Sequence, residues 1–258
     1  MQKFKLIKLL LLTSICIFSL NSVEAKEIKA KLNWYNLTKL SFRVNGIVSS
    51  IKVKPGDVVK SNQKLIELDQ REYIDKSKIT KALKKLRKSE QDEAKRELDR
   101  ALELYDRTVL SEHELQLAKN AYILSATNFL TADTNWNKAK RDLEFSQISA
   151  PFDSIILSVR VNEFETIVSS FESKPAMIIA DATKISAQFL LTNADYNNIS
   201  NKTSAVVIID GLTYKGALRF KSLIPDHDMF PVAVVFSVPK NAIGKKFISG
   251  MDAIVKIK

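Results

Sequence analysis

The chain has almost no side chains for thiol or imidazole chemistry, with one cysteine, Cys16, and two histidines, His113 and His227. Cys16 lies inside an apolar run from Leu9 to Leu20, which we expect to be removed as part of a signal peptide. The remaining chain would then contain no cysteine, which excludes disulfides, thiol nucleophiles and thiolate metal sites. Its stability must therefore come from packing alone.

The first 25 residues have the parts of a secretory signal. Three lysines, at positions 3, 5 and 8, precede the apolar run, and Val23-Glu24-Ala25 supplies small residues suited to cleavage after Ala25. The alternative is a retained membrane anchor, but a run of about twelve apolar residues is shorter than the roughly twenty that span a bilayer. We therefore predict export by a cleavable signal at residues 1–25.

The chain is basic, with a formal net charge of +11, which becomes +9 when three lysines and Glu24 leave with the signal. Such an excess is compatible with nucleic acid, anionic lipid or an acidic protein as partner. Export across a membrane argues against nucleic acid. Much of the excess lies on one predicted helix, where we expect a solvated face: Lys76, Lys78, Lys81, Lys84, Lys85, Arg87 and Lys88.

Recognisable catalytic motifs are also missing. The sequence has no Gly-rich phosphate loop, nucleophile elbow or His-Glu metal helix. Asp226-His227-Asp228 could present two carboxylates and an imidazole to a metal, but its position after Pro225 favours a solvated turn. We predict neither enzymatic activity nor a cofactor.

The clearest positive feature is a β-rich motif in two parts, Phe42 to Asp69 and Leu143 to Ser169. Short apolar strands surround a turn at Pro55-Gly56, because Pro presets φ for the first central position and Gly accepts the positive φ that follows. Neither part could bury its apolar face alone, since an isolated hairpin is marginal in water. We predict that the two halves, 41–72 and 143–172, pair with each other.

Between the halves, residues 73–142 are predicted to form an antiparallel helical hairpin. Ser111 and Glu114 have capping-box spacing, which places the turn near 107–111. The second helix has a heptad seam of Leu115, Ala118, Tyr122, Ser125, Phe129, Ala132, Trp136, Ala139 and Leu143. For the first helix we expect a less regular apolar stripe of Ile79, Leu83, Leu86, Ala94, Leu98, Ala101 and Tyr105.

The rest of the chain is predicted to be a small antiparallel β-barrel over 173–258, with residues 26–40 as an N-terminal strand or linker. Several short strands are punctuated by Gly and Pro, as in small barrels. Residues 193–199 are expected to form one short helix. The fold class is therefore mixed α and β, and elongated.

This order of parts resembles the periplasmic adaptors, or membrane fusion proteins, of the HlyD/RND adaptor family in Gram-negative tripartite efflux systems. In that family a lipoyl-like β-sandwich is split by a coiled-coil hairpin and followed by a barrel. The resemblance runs from about Leu40 to the end and rests on these strings: Gly46-Ile47-Val48, Pro55-Gly56-Asp57-Val58-Val59-Lys60, Leu65-Ile66-Glu67-Leu68-Asp69, Ile148-Ser149-Ala150-Pro151 and Ser249-Gly250-Met251.

The resemblance also implies a docking site. Family members carry an Arg, a Leu four residues on and a Ser seven beyond that at the hairpin tip, where they meet a TolC-type outer-membrane channel. Arg100, Leu104 and Ser111 fall at that spacing. The alternative is that Leu104 is a helix contact and Ser111 only a cap.

The implied function is that of a non-catalytic adaptor, linking an inner-membrane efflux transporter of the RND type to the channel and assembling as a ring. It would lie in the periplasm, held at the inner membrane through the pump. Asn62 and Ser154 stand where the family usually has Gly, and the membrane-proximal domain is expected to be small or absent. The alternative function is a periplasmic coiled-coil scaffold or cell-wall hydrolase activator without a role in transport.

Overall fold

A computed structural model describes residues 26–169, 174–200, 204–239 and 242–257. The predicted signal peptide lies outside these ranges. The chain divides into two compact units: Asn36–Thr183, and the residues up to Tyr35 together with those from Lys184 onward. Within the described ranges, no helix combines the length and apolar character needed to cross a bilayer.

The first unit contains a lipoyl-like sandwich of two four-stranded sheets. One sheet has the strand order β2-β9-β7-β4 and the other the order β6-β5-β3-β8. The strands are β2 (Thr38–Leu40), β3 (Gly46–Ile51), β4 (Val58–Val59), β5 (Lys64–Leu68), β6 (Gln147–Ser149), β7 (Ser154–Val159), β8 (Thr166–Ile167) and β9 (Met177–Asp181).

The two halves of the split motif pair as predicted. Strands β3, β4 and β5 of the first half are each hydrogen-bonded to a strand of the second half, namely β8, β7 and β6. Val48, Leu65 and Ile66 are fully buried between the sheets, in one cluster with Ile148 and Ile156. Burial of these side chains from both halves closes the sandwich across the helical insertion.

The turn chemistry of the first half is also confirmed. Gly56 has φ of 93°, and the Asp57 amide donates to the Lys54 carbonyl at 3.1 Å, as in a type II turn. Asn62 adopts φ of 63°, a left-handed conformation that Asn tolerates. Ser154 is fully buried and its hydroxyl donates to the Phe152 carbonyl, so its side chain is accommodated within the core.

The boundary between sandwich and barrel differs from the predicted one at 172/173. Strand β9 pairs with β2 and β7 of the sandwich, so the units divide after Thr183. Conversely, β1 (Lys26–Trp34), expected as a strand or linker, is an integral barrel strand. A short apolar strand has the same sequence pattern in either sheet, and only its hydrogen-bonding partners determine which sheet it joins.

The hairpin consists of α1 (Arg71–Asp106) and α2 (Glu112–Phe145), slightly longer than predicted. Where the two helices meet the sandwich, the Gln70 side-chain amide donates to the hydroxyl of buried Ser146 at 2.9 Å. This bond ties the residue before α1 to the residue after α2.

The predicted seam of α2 is confirmed, because all its members are buried or half-buried. The predicted stripe of α1 is wrong in its first half and at its last residue: Ile79, Leu83 and Leu86 are 69%, 39% and 53% exposed, and Tyr105 is 39% exposed. The stripe that faces α2 instead keeps regular heptad spacing through polar residues: Ser77, Thr80, Lys84, Arg87, Gln91, Ala94, Leu98 and Ala101.

Lys84 explains why a polar residue occupies the seam. Its ammonium nitrogen lies 4.1 Å from the centre of the Trp136 ring and 2.7 Å from Asp133 Oδ1. Its aliphatic stem can cover apolar surface while its charge is satisfied by the carboxylate and the ring face. A search for apolar side chains alone therefore misplaces the stripe.

The second unit is a closed six-stranded antiparallel barrel with the order β1-β10-β13-β12-β11-β14, confirming the predicted type. Alternate residues such as Leu32, Val207, Val234 and Val255 are buried in its interior. The other strands are β10 (Lys184–Leu191), β11 (Ser204–Ile209), β12 (Leu212–Lys221), β13 (Phe230–Ser237) and β14 (Asp252–Ile257).

The predicted short helix is α3 (Asn193–Asn198), capped by the Thr192 hydroxyl, which accepts from the Asp195 amide. Buried Tyr196 stacks on Phe230 with ring centres 4.4 Å apart. Contacts of α3 with both β1 and β13 place it over one end of the barrel.

Candidate functional site at the hairpin tip

The turn between α1 and α2 has a defined backbone structure. The Val109 amide donates to the Leu104 carbonyl at 3.0 Å and the Thr108 amide donates to the Tyr105 carbonyl at 2.9 Å. With Thr108 in the left-handed region at φ of 58°, these bonds form a Schellman motif that satisfies the last carbonyls of α1. Thr is a β-branched residue in a conformation that favours Gly, so the turn holds local strain.

The start of α2 is closed by the predicted capping box. Ser111 Oγ accepts from the Glu114 amide at 3.3 Å, and the Ser111 amide donates to Glu114 Oε2 at 3.0 Å. The Ser111 hydroxyl also donates to this carboxylate at 2.6 Å, and these bonds lower the pKa of Glu114. Glu114 is therefore charged at neutral pH and complements the positive end of the helix.

The three predicted docking residues lie in the last two turns of α1 and at the first position before α2. Arg100 and Leu104 are one turn apart on the same face of α1, since they are separated by four residues. Arg100 is exposed and its guanidinium pairs with Glu97 at 2.7 Å, while Leu104 is half-buried. Ser111 is exposed but its hydroxyl is committed to Glu114.

Val109 has no predicted role, yet it is 71% exposed at the centre of the turn. Tyr105 is 39% exposed one turn below it. The sequence contains a signal for this residue. Val109 is apolar and lies between the turn residues Arg107-Thr108 and the Ser111 cap, where polar residues are normally favoured. The tip thus combines apolar surface with a paired guanidinium.

This arrangement is suited to contacts with another protein. An exposed Arg and apolar side chains on a rigid turn are typical anchors of protein interfaces. Among the described residues, no group of three or more His, Cys, Asp or Glu side chains could hold a metal ion. At the Asp226-His227-Asp228 turn, the His227 side chain is 98% exposed and its Nδ1 lies 2.7 Å from Asp226 Oδ1.

Two curated homologues align with most of the chain. It is 25% identical over 224 residues to the macrolide export protein MacA of Yersinia pestis, an alignment that covers 80% of this chain and 60% of that protein. It is 24% identical over 184 residues to the multidrug resistance protein MdtA of Yersinia pestis, covering 68% and 40%. The chain therefore spans about half the length of these relatives. No protein-family model matches it.

Solved structures share its fold. MacA from Actinobacillus actinomycetemcomitans superposes with a TM-score of 0.66 at 18% identity, over 91% of this chain and 79% of that one. The membrane fusion protein Spr0693 from Streptococcus pneumoniae R6 also gives 0.66, at 14% identity, over 91% and 99%.

The split sandwich, helical hairpin and barrel are thus the fold of the membrane fusion proteins. The chain is thus similar in sequence to MacA and MdtA, and it shares its fold with MacA and the membrane fusion protein Spr0693.

Proposed function

We propose that this protein is a periplasmic adaptor that links an inner-membrane efflux transporter to an outer-membrane channel, without catalysis of its own. The observation that carries this proposal is the hairpin: two helices of 36 and 34 residues extend from the sandwich and are joined by a turn fixed by a Schellman motif and a capping box. At 1.5 Å per residue such a rod extends about 50 Å from its base.

Docking of the tip to the channel is the central step of the proposal. Arg100 would donate charged hydrogen bonds to channel carboxylates or carbonyls in exchange for its exposed pair with Glu97, which solvent makes weak. Leu104 and Val109 would enter an apolar groove. Ser111 would act indirectly, by fixing the start of α2 so that these side chains are presented in one geometry.

Efflux transport is supported by the names of the relatives, an export protein and a multidrug resistance protein. An efflux role would place the chain in the periplasm, in agreement with the predicted signal. The transporter would supply the energy for transport. We propose that it is of the RND type, as the sequence resemblance implies. Substrate choice would rest with the transporter as well.

The proposed ring is supported by the two flanks of α1, which have different chemistry on either side of the seam. The lysine flank contains Lys78, Lys81, Lys85, Lys88 and Lys95 together with Asp92, which pairs with Lys88 at 2.9 Å, and Asp99. The acidic flank contains Ile79, Leu83, Leu86, Glu90, Glu93 and Glu97 together with Arg100. Unlike flanks favour a head-to-tail contact between neighbouring copies, which closes into a ring, over a two-fold contact between identical flanks.

The positions of the charges along the helix axis are compatible with a head-to-tail contact between parallel copies. Glu93 and Lys95 are about 3 Å apart along the helix axis, so parallel copies side by side bring them to the same level. The glutamates are paired with arginines of their own helix at exposed positions, as in Glu93 with Arg96. Exposed pairs exchange partners at little cost, so a neighbour's lysines can join them.

The ring can be tested by mixing two single-cysteine variants, Glu93→Cys and Lys95→Cys, made in the chain from Lys26 onward. A short bifunctional crosslinker should join the two different variants to each other far more often than it joins either to itself. Equal self-crosslinking would indicate a two-fold contact and would remove the support for a ring.

The docking role is tested by in-cell crosslinking from Leu104→Cys and Ser111→Cys, with mass spectrometry of the partners. We expect both positions to crosslink to an outer-membrane channel. Thr127→Cys, exposed midway along α2, is the matched control and should not. A well-expressed protein crosslinked only to itself or to cell-wall enzymes would favour the scaffold or hydrolase-activator alternative.

A further inference from the structure

The loop between β12 and β13 exposes two adjacent aliphatic side chains at one end of the barrel. Leu223 is 86% exposed and Ile224 is 77% exposed, and Phe220 just before them is 56% exposed. Exposure of this degree by large aliphatic neighbours is costly in water, and it commonly marks a surface that contacts a protein or a membrane.

The loop is held in a fixed conformation. The amides of Asp226 and Met229 each donate to the other's carbonyl, at 2.7 and 3.0 Å, across a turn in which His227 and Asp228 both have positive φ. This is the pattern of a type I′ hairpin turn. The Ser222 hydroxyl donates to the Ile224 carbonyl at 2.9 Å and accepts from the Ile224 amide. Presenting Leu223 and Ile224 therefore requires no further ordering of the backbone.

The end of the barrel that carries this loop is also the end at which its first strand, β1, begins. Lys26 opens β1 opposite Ile257 of β14, and its ammonium contacts Asp195 of α3 at 2.6 Å. The same helix α3 packs on Phe230, the first residue after the loop. Lys26 and the loop therefore lie at one end, whereas the turn before Leu212 lies at the opposite end.

The position of the N-terminal apolar run identifies the neighbouring surface. The run ends at Leu20, so five residues separate it from Lys26, and they can span at most about 20 Å. Whenever that run is in the membrane, before cleavage or as an anchor, this end of the barrel is held next to the bilayer. We propose that the 222–229 loop is a membrane-binding element whose Leu223 and Ile224 side chains insert into the bilayer interface.

Charge does not drive this insertion. Asp226 and Asp228 lie in the loop itself, the nearby Lys26 is already paired with Asp195, and Lys221 donates to the Ile199 carbonyl and lies over the Tyr196 ring. Binding should therefore depend on buried apolar area and respond little to salt or to the fraction of anionic lipid. If residues 1–25 are removed, the loop would keep this end of the barrel at the membrane. The inference does not depend on the proposed export function.

The test uses the chain from Lys26 to Lys258 and vesicles of phosphatidylethanolamine and phosphatidylglycerol, titrated to millimolar lipid because two side chains give weak binding. A polarity-sensitive dye on Ile224→Cys should shift to the blue as lipid is added. The same dye on Leu212→Cys, 61% exposed at the opposite end, should not shift.

Flotation of unlabelled protein gives the quantitative result. The pair Leu223→Ser and Ile224→Ser should lower the partition coefficient at least tenfold, while Leu212→Ser should leave it unchanged. All these positions are exposed, so the variants should keep the melting temperature of the parent protein. The proposal is overturned if the parent does not bind, if the double variant binds equally well, or if 0.5 M salt abolishes binding.

Discussion

The two helices of the hairpin build one interface from different side chains. Helix α2 contributes large apolar residues alternating with small ones, such as Phe129, Ala132 and Trp136. The matching half of α1 contributes Lys84 and polar neighbours, while its aliphatic residues face outward. A coiled-coil position is therefore defined by its heptad spacing, and a long cationic side chain can fill it when an aromatic ring and a carboxylate lie opposite.

The largest effect is expected where α2 depends on small residues. Ala139 is 1% exposed, so Ala139→Leu would force the helices apart or the side chain into strain, at a cost of about 2–3 kcal/mol. Ala121→Leu, on an exposed position of the same helix, should cost almost nothing. Chemical denaturation of both variants measures the difference, and equal stabilities would mean that the helices do not pack closely at Ala139.

Truncation should cost more stability at Lys84, in the observed stripe of α1, than at Leu86, in the predicted stripe. Lys84→Ala removes the stem over Trp136 and the pair with Asp133, and we expect a loss of about 1–2 kcal/mol. Leu86→Ala, at an exposed position, should cost less than about 0.5 kcal/mol.

The same denaturation experiment decides between the two stripes. If Leu86 were a seam residue, its truncation would cost about 2–5 kcal/mol. A Leu86→Ala loss larger than that of Lys84→Ala would therefore contradict the heptad assignment. The double variant Lys84→Ala with Asp133→Ala should be more stable than the sum of the single changes predicts, because the pair shares one interaction.

A gain in stability is predicted at the turn. Thr108→Gly should stabilise the hairpin by about 1 kcal/mol, because Gly adopts the left-handed conformation without the steric cost of a β-branched side chain. The same change at Thr127, inside α2, should instead destabilise the protein by about 0.4 kcal/mol. Thermal unfolding of both variants gives the signs, and a loss at Thr108 would be inconsistent with the strained turn.

The smallest effect concerns acid stability at the base of α1. Hydrogen bonds from the Arg71 guanidinium, and then from the Arg71 backbone amide, lower the pKa of Asp69 from 3.8 to about 2. A lowered pKa stabilises the folded state above the ordinary value, and this contribution disappears as pH falls from about 3.8 to about 2. Asp69→Asn should flatten the dependence of unfolding free energy on pH in that window, and Arg71→Gln should flatten it less, because the backbone amide of residue 71 still donates to Asp69. Unchanged slopes would show that the pair is not formed.

Local patterns were sufficient to predict much of the fold. The Ser111 and Glu114 capping box, the Pro55-Gly56 turn and the α2 seam depend on residues close in sequence, and each is present in the structure. Pairing of the two sandwich halves followed from the inability of either to bury its own apolar face.

The incorrect predictions concern features that depend on residues far apart in the sequence. The sequence pattern of strand β9 is compatible with the sandwich or with the barrel. Its pairing with β7 places it in the sandwich. Lys84 is a seam residue only because Trp136 and Asp133 lie opposite it on α2. The docking roles of Arg100, Leu104 and Ser111 came from a family resemblance. They stay predictions, because they involve a partner protein, and contacts within one chain do not identify that partner.

The hairpin tip is proposed to dock on an outer-membrane channel through Arg100. The most direct measurement is the crosslinking yield from Val109→Cys to that channel in cells, in three backgrounds: parent, Arg100→Asp and Arg96→Asp. Arg96 pairs with Glu93 as Arg100 pairs with Glu97, one turn further from the tip, so it is the matched control. We predict that Arg100→Asp abolishes the crosslink and Arg96→Asp preserves it, at equal protein levels. A yield unaffected by Arg100→Asp, or the absence of any channel crosslink from the parent, would contradict the account.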